Sequence, residues 1–161
     1  FLWTLQNEWA WAQAFSSFDT YLAPFVHKYK EEVTNELSEV WATFKSKEDE
    51  KKFIYDKTYK YVYQQMQNFI FWLNVPSRWW TQSPFTNITL DWTCPDDLKD
   101  KALFLGWIQN WGYEKKYSEL SDEMRMVNKA LIDVYVAWDR NWRVFTFPIP
   151  TYNITDDFPW N

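Results

Sequence analysis

Several tryptophans in this chain fall where a backbone turn calls for glycine, and that mismatch constrains the fold more than any other feature. Trp138 closes a helical run ahead of the polar stretch Asp139-Arg140-Asn141, in the slot just past a helix C-terminus. Trp142 follows Asn141 and Trp111 follows Asn110, where Asn-Gly is the ordinary turn dipeptide. Trp107 adjoins Gly106 in another turn-like stretch. Only a residue without Cβ reaches positive φ cheaply. Yet the chain has 13 Trp and 2 Gly in 161 residues, against an average glycine usage of about 7%. Trp9, Trp79, Trp92 and Trp160, by contrast, occupy places where an aromatic raises no conflict. A domain that spends tryptophan in its core explains the same numbers, so composition leaves both readings open.

The length allows one domain with a sizeable core. The chain begins at Phe1 inside an apolar, helix-like run and ends at Asn161 directly after Asp157-Phe158-Pro159-Trp160. Both ends read as cut from something longer. No basic-apolar-small leader and no run of eighteen apolar residues is present, so neither export nor membrane insertion is expected. A single cysteine, Cys94, excludes an internal disulfide and suits a reducing, cytoplasmic compartment. The net charge of −5 argues against broad nucleic-acid binding while leaving room for a local phosphate site.

Along the chain, Leu2, Leu5, Trp9, Ala12 and Phe15 follow a helical spacing. Asp19 is placed to cap a second helix from about Thr20 to Phe44, with Pro24 early in it. The charged run from Lys45 to Lys52 reads as a solvated connection, with Ser46 and Asp49 as a capping-box-like pair. The helical pattern then continues to about Leu73, with Phe53, Tyr59 or Tyr63, Met66 and Ile70 on one side, and Pro76 ends it. Residues 84–92 alternate as a strand, Phe85, Asn87, Thr89 and Asp91 against Thr86, Ile88, Leu90 and Trp92. Residues 93–117 read as loop with a short hairpin near 103–108. A third helix fits Ser121 to Ala137, with Met124, Val127, Leu131, Val134 and Tyr135 as its buried stripe. A second strand is expected over Arg143–Ile149, closed by Pro150. Strands separated by helices imply an α/β fold with βαβ units. Two strands alone make no stable sheet, which again says fragment.

Few residues carry chemistry. Cys94 lies in an acidic run, Thr93-Cys94-Pro95-Asp96-Asp97, that raises a thiol pKa, so it reads as an inert small residue. His27 has no second histidine to share a metal with and reads as a surface or capping residue. Asp96, Asp97, Asp156 and Asp157 show no calcium-loop spacing, and helix capping explains them. The densest functional stretch runs from Asn74 to Asn87, where Arg78, hydroxyls and amides converge as a helix gives way to a strand. A hydrogen-bonded loop without a ligand is the competing reading. Pro84-Phe85-Thr86-Asn87-Ile88-Thr89 is echoed weakly by Pro150-Thr151-Tyr152-Asn153-Ile154-Thr155. Both match Asn-x-Thr glycosylation acceptors, but without a leader they read as polar strand residues inside a barrel-like site.

Three segments resemble the anaerobic (class III) ribonucleoside-triphosphate reductase family: Leu5 to Thr20 (LQNEWAWAQAFSSFDT), Asn74 to Leu90, and Arg143 to Thr155 (RVFTFPIPTYNIT). Asp122-Glu123-Met124 and Asn128-Lys129-Ala130 fit the intervening helix, so the resemblance spans the chain. It implies a glycyl-radical enzyme on a ten-stranded α/β barrel, of which residues 1–161 are the early strands and their helices. The family reduces ribonucleoside triphosphates in the anaerobic cytoplasm as a homodimer, with ATP and dNTP effectors, formate as reductant, a four-cysteine zinc site and a radical-SAM activating enzyme. No membrane or nucleic acid partner is implied. The family's active-site cysteines, radical glycine, zinc segment and N-terminal ATP cone have no counterpart here, and Cys94 matches neither cysteine. Gln82, Ser83, Pro84, Phe85, Thr86 and Asn87, with Tyr152 and Asn153, are the substrate-pocket residues the resemblance implies. The first two helices are assigned to the dimer and effector region.

The family pattern carries glycine at Trp11 and Trp80 and commonly at Trp107, Trp138 and Trp142; Trp3, Trp41, Trp72 and Trp111 are suspect on the same reading. Adding these nine to the existing 2 glycines restores the average near 7%. A gene that reads UGA as glycine, translated as though UGA meant tryptophan, produces this pattern. The competing function is a non-catalytic module that stacks carbohydrate or single-stranded nucleic acid on exposed tryptophans, and a third is a helical scaffold without a ligand.

Overall fold

The computed structural model describes residues 12–39, 44, 46–74, 85–105, 108–109, 115–137 and 144–156. Its elements in chain order are β1 (Ala12–Phe15), α1 (Phe18–Glu39), α2 (Lys47–Asn74), β2 (Phe85–Leu90), β3 (Phe104–Leu105), β4 (Ile108–Gln109), a 3-10 turn (Tyr117–Leu120), α3 (Ser121–Ala137) and β5 (Ile149–Tyr152). The sheet that organises them is parallel, in the order β1-β2-β5. Ala12 pairs with Phe85 and Phe15 with Ile88 on one side of β2; Asn87 pairs with Ile149 and Leu90 with Tyr152 on the other. Parallel neighbours need long crossovers, and here α1 with α2 supplies one and α3 the other. The expected α/β class is therefore borne out.

Two expectations about strands need correction. Ala12–Phe15, counted into a helical run, is a strand, because Ala12 and Ala14, alternating with Gln13 and Phe15, lie close against Phe85–Ile88 in the ladder. Only the residues from Ala12 onward bear on that expectation; residues 2–11 lie outside those described. The strand expected over 143–149 begins only at Ile149. Residues 144–147 find their partners elsewhere: Asn74 Oδ1 accepts Thr146 N–H at 3.0 Å and Phe147 N–H at 3.2 Å, and Asn74 Nδ2 donates to Phe147 O at 2.6 Å. An amide at the end of α2 takes the place of a strand neighbour. Pro150, expected to close the strand, lies within it, in β5 at the sheet margin where a missing N–H is tolerated.

The helices follow the sequence more closely. α3 occupies the expected residues, with Met124, Val127, Leu131 and Val134 buried and Tyr135 partly so. α2 opens on Glu48, Asp49 and Glu50, favourable at the positive end of a helix dipole, and Asp49 N–H donates to Ser46 Oγ at 3.1 Å as the capping pair requires. Its buried stripe is Thr58, Val62, Met66, Ile70 and Leu73; Met66 and Ile70 are on the expected face, Tyr59 and Tyr63 pack partly buried against the same core, and only Phe53 is exposed. α1 starts before Asp19 and its described residues end at Glu39. The hairpin expected near 103–108 is present as β3 and β4. No helix among the described residues is long and apolar enough to cross a membrane.

The main core fills the space between β2 and the helices. Ile88 and Leu90 meet Val26 of α1, Val62, Met66 and Ile70 of α2, and Met126, Val127, Ala130, Leu131 and Val134 of α3. Burying aliphatic side chains at about 25 cal/mol per Å² makes this the dominant stabilising contact of the fold. A second cluster, with Ala23, Cys94, Leu98, Leu103, Tyr117, Leu120 and Met124, lies under the loop after β2. The other face of the sheet carries no helix among the described residues, and Phe85 and Ile149 stand about half exposed on it.

Candidate functional site

The alternation along β2 sorts the substrate candidates by face. Thr86 is 1% exposed and points with Ile88 and Leu90 toward the helices, whereas Phe85, Asn87 and Thr89 lie on the open face. Tyr152 packs against the main core and meets Trp92 edge-on at 6.3 Å. Thr151, on the open face, donates from Oγ1 to Asn87 Oδ1 at 3.3 Å. Asn87 therefore has its amide nitrogen left to offer as a donor. Phe85 meets Phe147 edge-on at 5.1 Å. Gln82, Ser83 and Pro84 lie outside the described residues, as does Arg78. Of the candidates that are described, the fold puts Phe85 and Asn87 on one side, turns Thr86 and Tyr152 to the other, and sets Asn153 just past the end of β5, against Asp91.

At the C-terminal ends of β2 and β5 lies a buried polar cluster that sequence reading missed. Asp19, wholly buried in the first turn of α1, does not cap its own helix. It reaches across to the strand end, where Oδ1 accepts Asp91 N–H at 2.9 Å and Oδ2 accepts Trp92 N–H at 3.0 Å and Asn128 Nδ2 at 2.7 Å. Asp91 Oδ2 accepts the Thr20 hydroxyl at 2.8 Å, and its Oδ1 accepts Asn153 Nδ2 at 2.7 Å. Asn153 N–H also donates to Leu90 O at 2.8 Å, carrying the ladder one step past β5. Buried polar groups survive only when partnered, and most here are; among the described residues Asn128 Oδ1 and the nearby Tyr152 hydroxyl have no partner. The signal that could have exposed this cluster is the pair Asp19-Thr20 beside a strand ending in Asp91, but nothing local says that they meet.

The same place overturns an expectation about tryptophan. Trp92, which raised no conflict in the sequence, has φ 62°. Thr93 N–H donates back to Asp91 O at 2.6 Å, so the chain makes a tight three-residue turn around Trp92. That turn aims two successive N–H groups at Asp19, and for a residue with a Cβ it costs roughly 1–2 kcal/mol. Trp72, one of the suspects, sits in ordinary helix near the end of α2, where the backbone makes no demand for glycine. The other eight suspects lie outside the described residues.

Away from this edge, His27 is 7% exposed, not at the surface as expected. Its Nε2 lies 3.0 Å from Lys115 Nζ and 3.2 Å from Glu31 Oε1, and its Nδ1 lies 3.2 Å from Glu123 Oε1. Lys30 Nζ donates to the same oxygen at 3.0 Å. Burial works against the Glu123 carboxylate, but the hydrogen bonds from His27 and Lys30 outweigh it and draw its pKa down to about 2. Cys94 goes the expected way: burial first, then the Asp91 charge, push its thiol up to about 11. A lone cysteine in an apolar cluster does not fit a four-thiolate zinc site, and among the described residues no three His, Cys, Asp or Glu side chains converge as metal ligands.

A parallel sheet with helices on one face and amides at the C-terminal ends of its strands is where α/β folds bind ligands. The family model for anaerobic ribonucleoside-triphosphate reductase matches residues 1–161. The chain belongs to that family. No curated protein matches it.

Proposed function

We propose that this chain forms part of the wall of the substrate site in an anaerobic reductase that converts ribonucleoside triphosphates to deoxyribonucleoside triphosphates. The observation that carries the reading is that, among the described residues, helices cover the parallel sheet on one face alone. Sheets of this type are normally covered on both faces, so an open face with Asn87, Thr89 and Thr151, and Asn153 at its end, calls for further strands closing it into a barrel around a polar ligand. The ten-stranded barrel of the glycyl-radical enzymes meets that need. The radical chemistry belongs to groups this chain does not carry, so the role of its residues is to bind and orient. The isolated chain is expected to turn over no substrate, and the parent to work in the cytoplasm as a homodimer.

The test is Asn87→Ala in the full-length reductase. Loss of a donor on the substrate wall should raise KM for the ribonucleoside triphosphate about tenfold, the size of one hydrogen bond to a polar ligand. An unchanged KM in both Asn87→Ala and Thr151→Ala would remove this face from the site. The tryptophan proposal has its own test in the gene: UGA codons at Trp11, Trp80 and Trp142 support recoding, and UGG there sinks it.

A further inference from the structure

Asn153 stands one alternation beyond Thr151, at the point where β5 leaves the sheet, and the residue is exposed. Its carboxamide has two ends with opposite hydrogen-bonding character, and either could face a ligand. Asp91 decides between them. Both oxygens of Asp91 act as acceptors, one for the Thr20 hydroxyl and one for Asn153 Nδ2, so the nitrogen end of Asn153 is drawn inward. Asp91 is itself held by Asp19, which fixes its backbone N–H from the first turn of α1. Among the described residues nothing donates to Asn153 Oδ1.

We infer that Asp91 is a positioning residue that makes Asn153 present its carboxamide oxygen, an acceptor, to a donor of the bound nucleotide. The inference rests on the reading of the open face as the substrate wall. It also sets a polarity across that wall: Asn87 offers a donor, because its oxygen is taken by Thr151, while Asn153 offers an acceptor. The matching donors of a ribonucleotide are a ribose hydroxyl or a base N–H. Asp91 acts through Asn153 and touches no substrate itself, and Asp19 and Thr20 keep it from rotating.

The full-length reductase tests this with Asp91→Ala, Asn153→Asp, the exchange Asp91→Asn with Asn153→Asp, and Asn153→Ala. In the exchange, the carboxamide placed at position 91 can accept from Thr20 and donate to the carboxylate placed at position 153. The outward group is then again an acceptor, and the formal charge is unchanged. Asp91→Ala and Asn153→Asp are each expected to raise KM about tenfold with kcat within about threefold of the parent, and the exchange to bring KM back to within about threefold. If Asp91→Ala does not fold, the exchange still decides, because it keeps every hydrogen bond of the pair. Recovery of thermal stability by the exchange without recovery of KM would reduce Asp91 to a structural role and overturn the inference. A raised KM in Asn153→Ala with an unchanged KM in folded Asp91→Ala would overturn it too, while leaving the substrate wall standing. Unchanged KM in both Asn153→Ala and Asn87→Ala would bring down the wall and the inference together. An equal shift for all four ribonucleoside triphosphates identifies the donor as ribose, and an unequal one as base.

Discussion

Two buried carboxylate clusters touch α3 little more than a turn apart, and they satisfy their oxygens by different means. At Glu123 the partners carry or can carry positive charge: Lys30 and His27, with Lys115 behind the histidine. At Asp19 and Asp91 the partners are backbone N–H groups, a hydroxyl and two amides, with no cation among them. The first arrangement is a tether between helices, electrostatic and partly open to water. The second is directional, since every carboxylate oxygen is met by a fixed donor and the donors come from α1, α3, the end of β2 and the end of β5. A cation can be exchanged or rehydrated, whereas an oriented N–H with its acceptor removed has nowhere to turn. The directional cluster sits at the strand ends and fixes how they are set against α1 and α3, and the electrostatic one sits among helices, where only adhesion is required.

The sharpest way to break this comparison is to remove one carboxylate from each cluster. Asp19→Ala strands two backbone N–H groups and the Asn128 amide, and at about 1–3 kcal/mol for each orphaned group it should cost at least about 3 kcal/mol in denaturant unfolding. Glu123→Ala should cost less, about 1–2 kcal/mol, because Lys30 is 41% exposed and regains water when released. Equal losses would show that both clusters are simple adhesion. Acid acts on the same Glu123 contact. The folded pKa of Glu123 lies below its ordinary value of 4.5, so its contribution is complete above about pH 4.5 and fades as pH falls toward about 2. Unfolding profiles of the parent and of Glu123→Gln should therefore converge across that window; profiles that stay parallel refute the assignment. Salt gives the smallest difference. Raising ionic strength tenfold should weaken the Lys30–Glu123 contact by a few tenths of a kcal/mol and should leave the penalty of Asp19→Ala unchanged.

The same contrast marks what is legible in the sequence. Local patterns define α3 to the residue, the Ser46–Asp49 cap, the alternation of β2 and the 104–109 hairpin, since each depends on residues close in sequence. β1 escapes them because four residues containing two alanines carry no period of their own, and only pairing with Phe85–Ile88 makes them a strand. β5 starts later than its apolar run because Asn74, some seventy residues away, supplies the bonds a strand neighbour would have made. Asp19 carries every mark of a helix cap, and an aspartate at that position does serve as one when no better donors are near. Here Asp91 and Trp92 offer two N–H groups from a strand end, a partner that only the folded chain creates. The candidate substrate residues are visible as a segment; which of them share a face is a matter of pleat, and the alternation already contains that answer.

Cys94 turns the second core cluster into a clock. The chain has one thiol, and it packs with Leu98, Leu103 and Leu120 under the loop that follows the Asp91 turn. Its raised pKa keeps it unreactive while the cluster is closed, so an alkylating reagent consumes it only during openings. The labelling rate then counts how often the loop lifts away from Ala23 and Met124, with no other sulfhydryl to add background. Because that loop leaves directly from the Asp19-anchored turn, loosening the anchor should be heard first as a faster tick at Cys94.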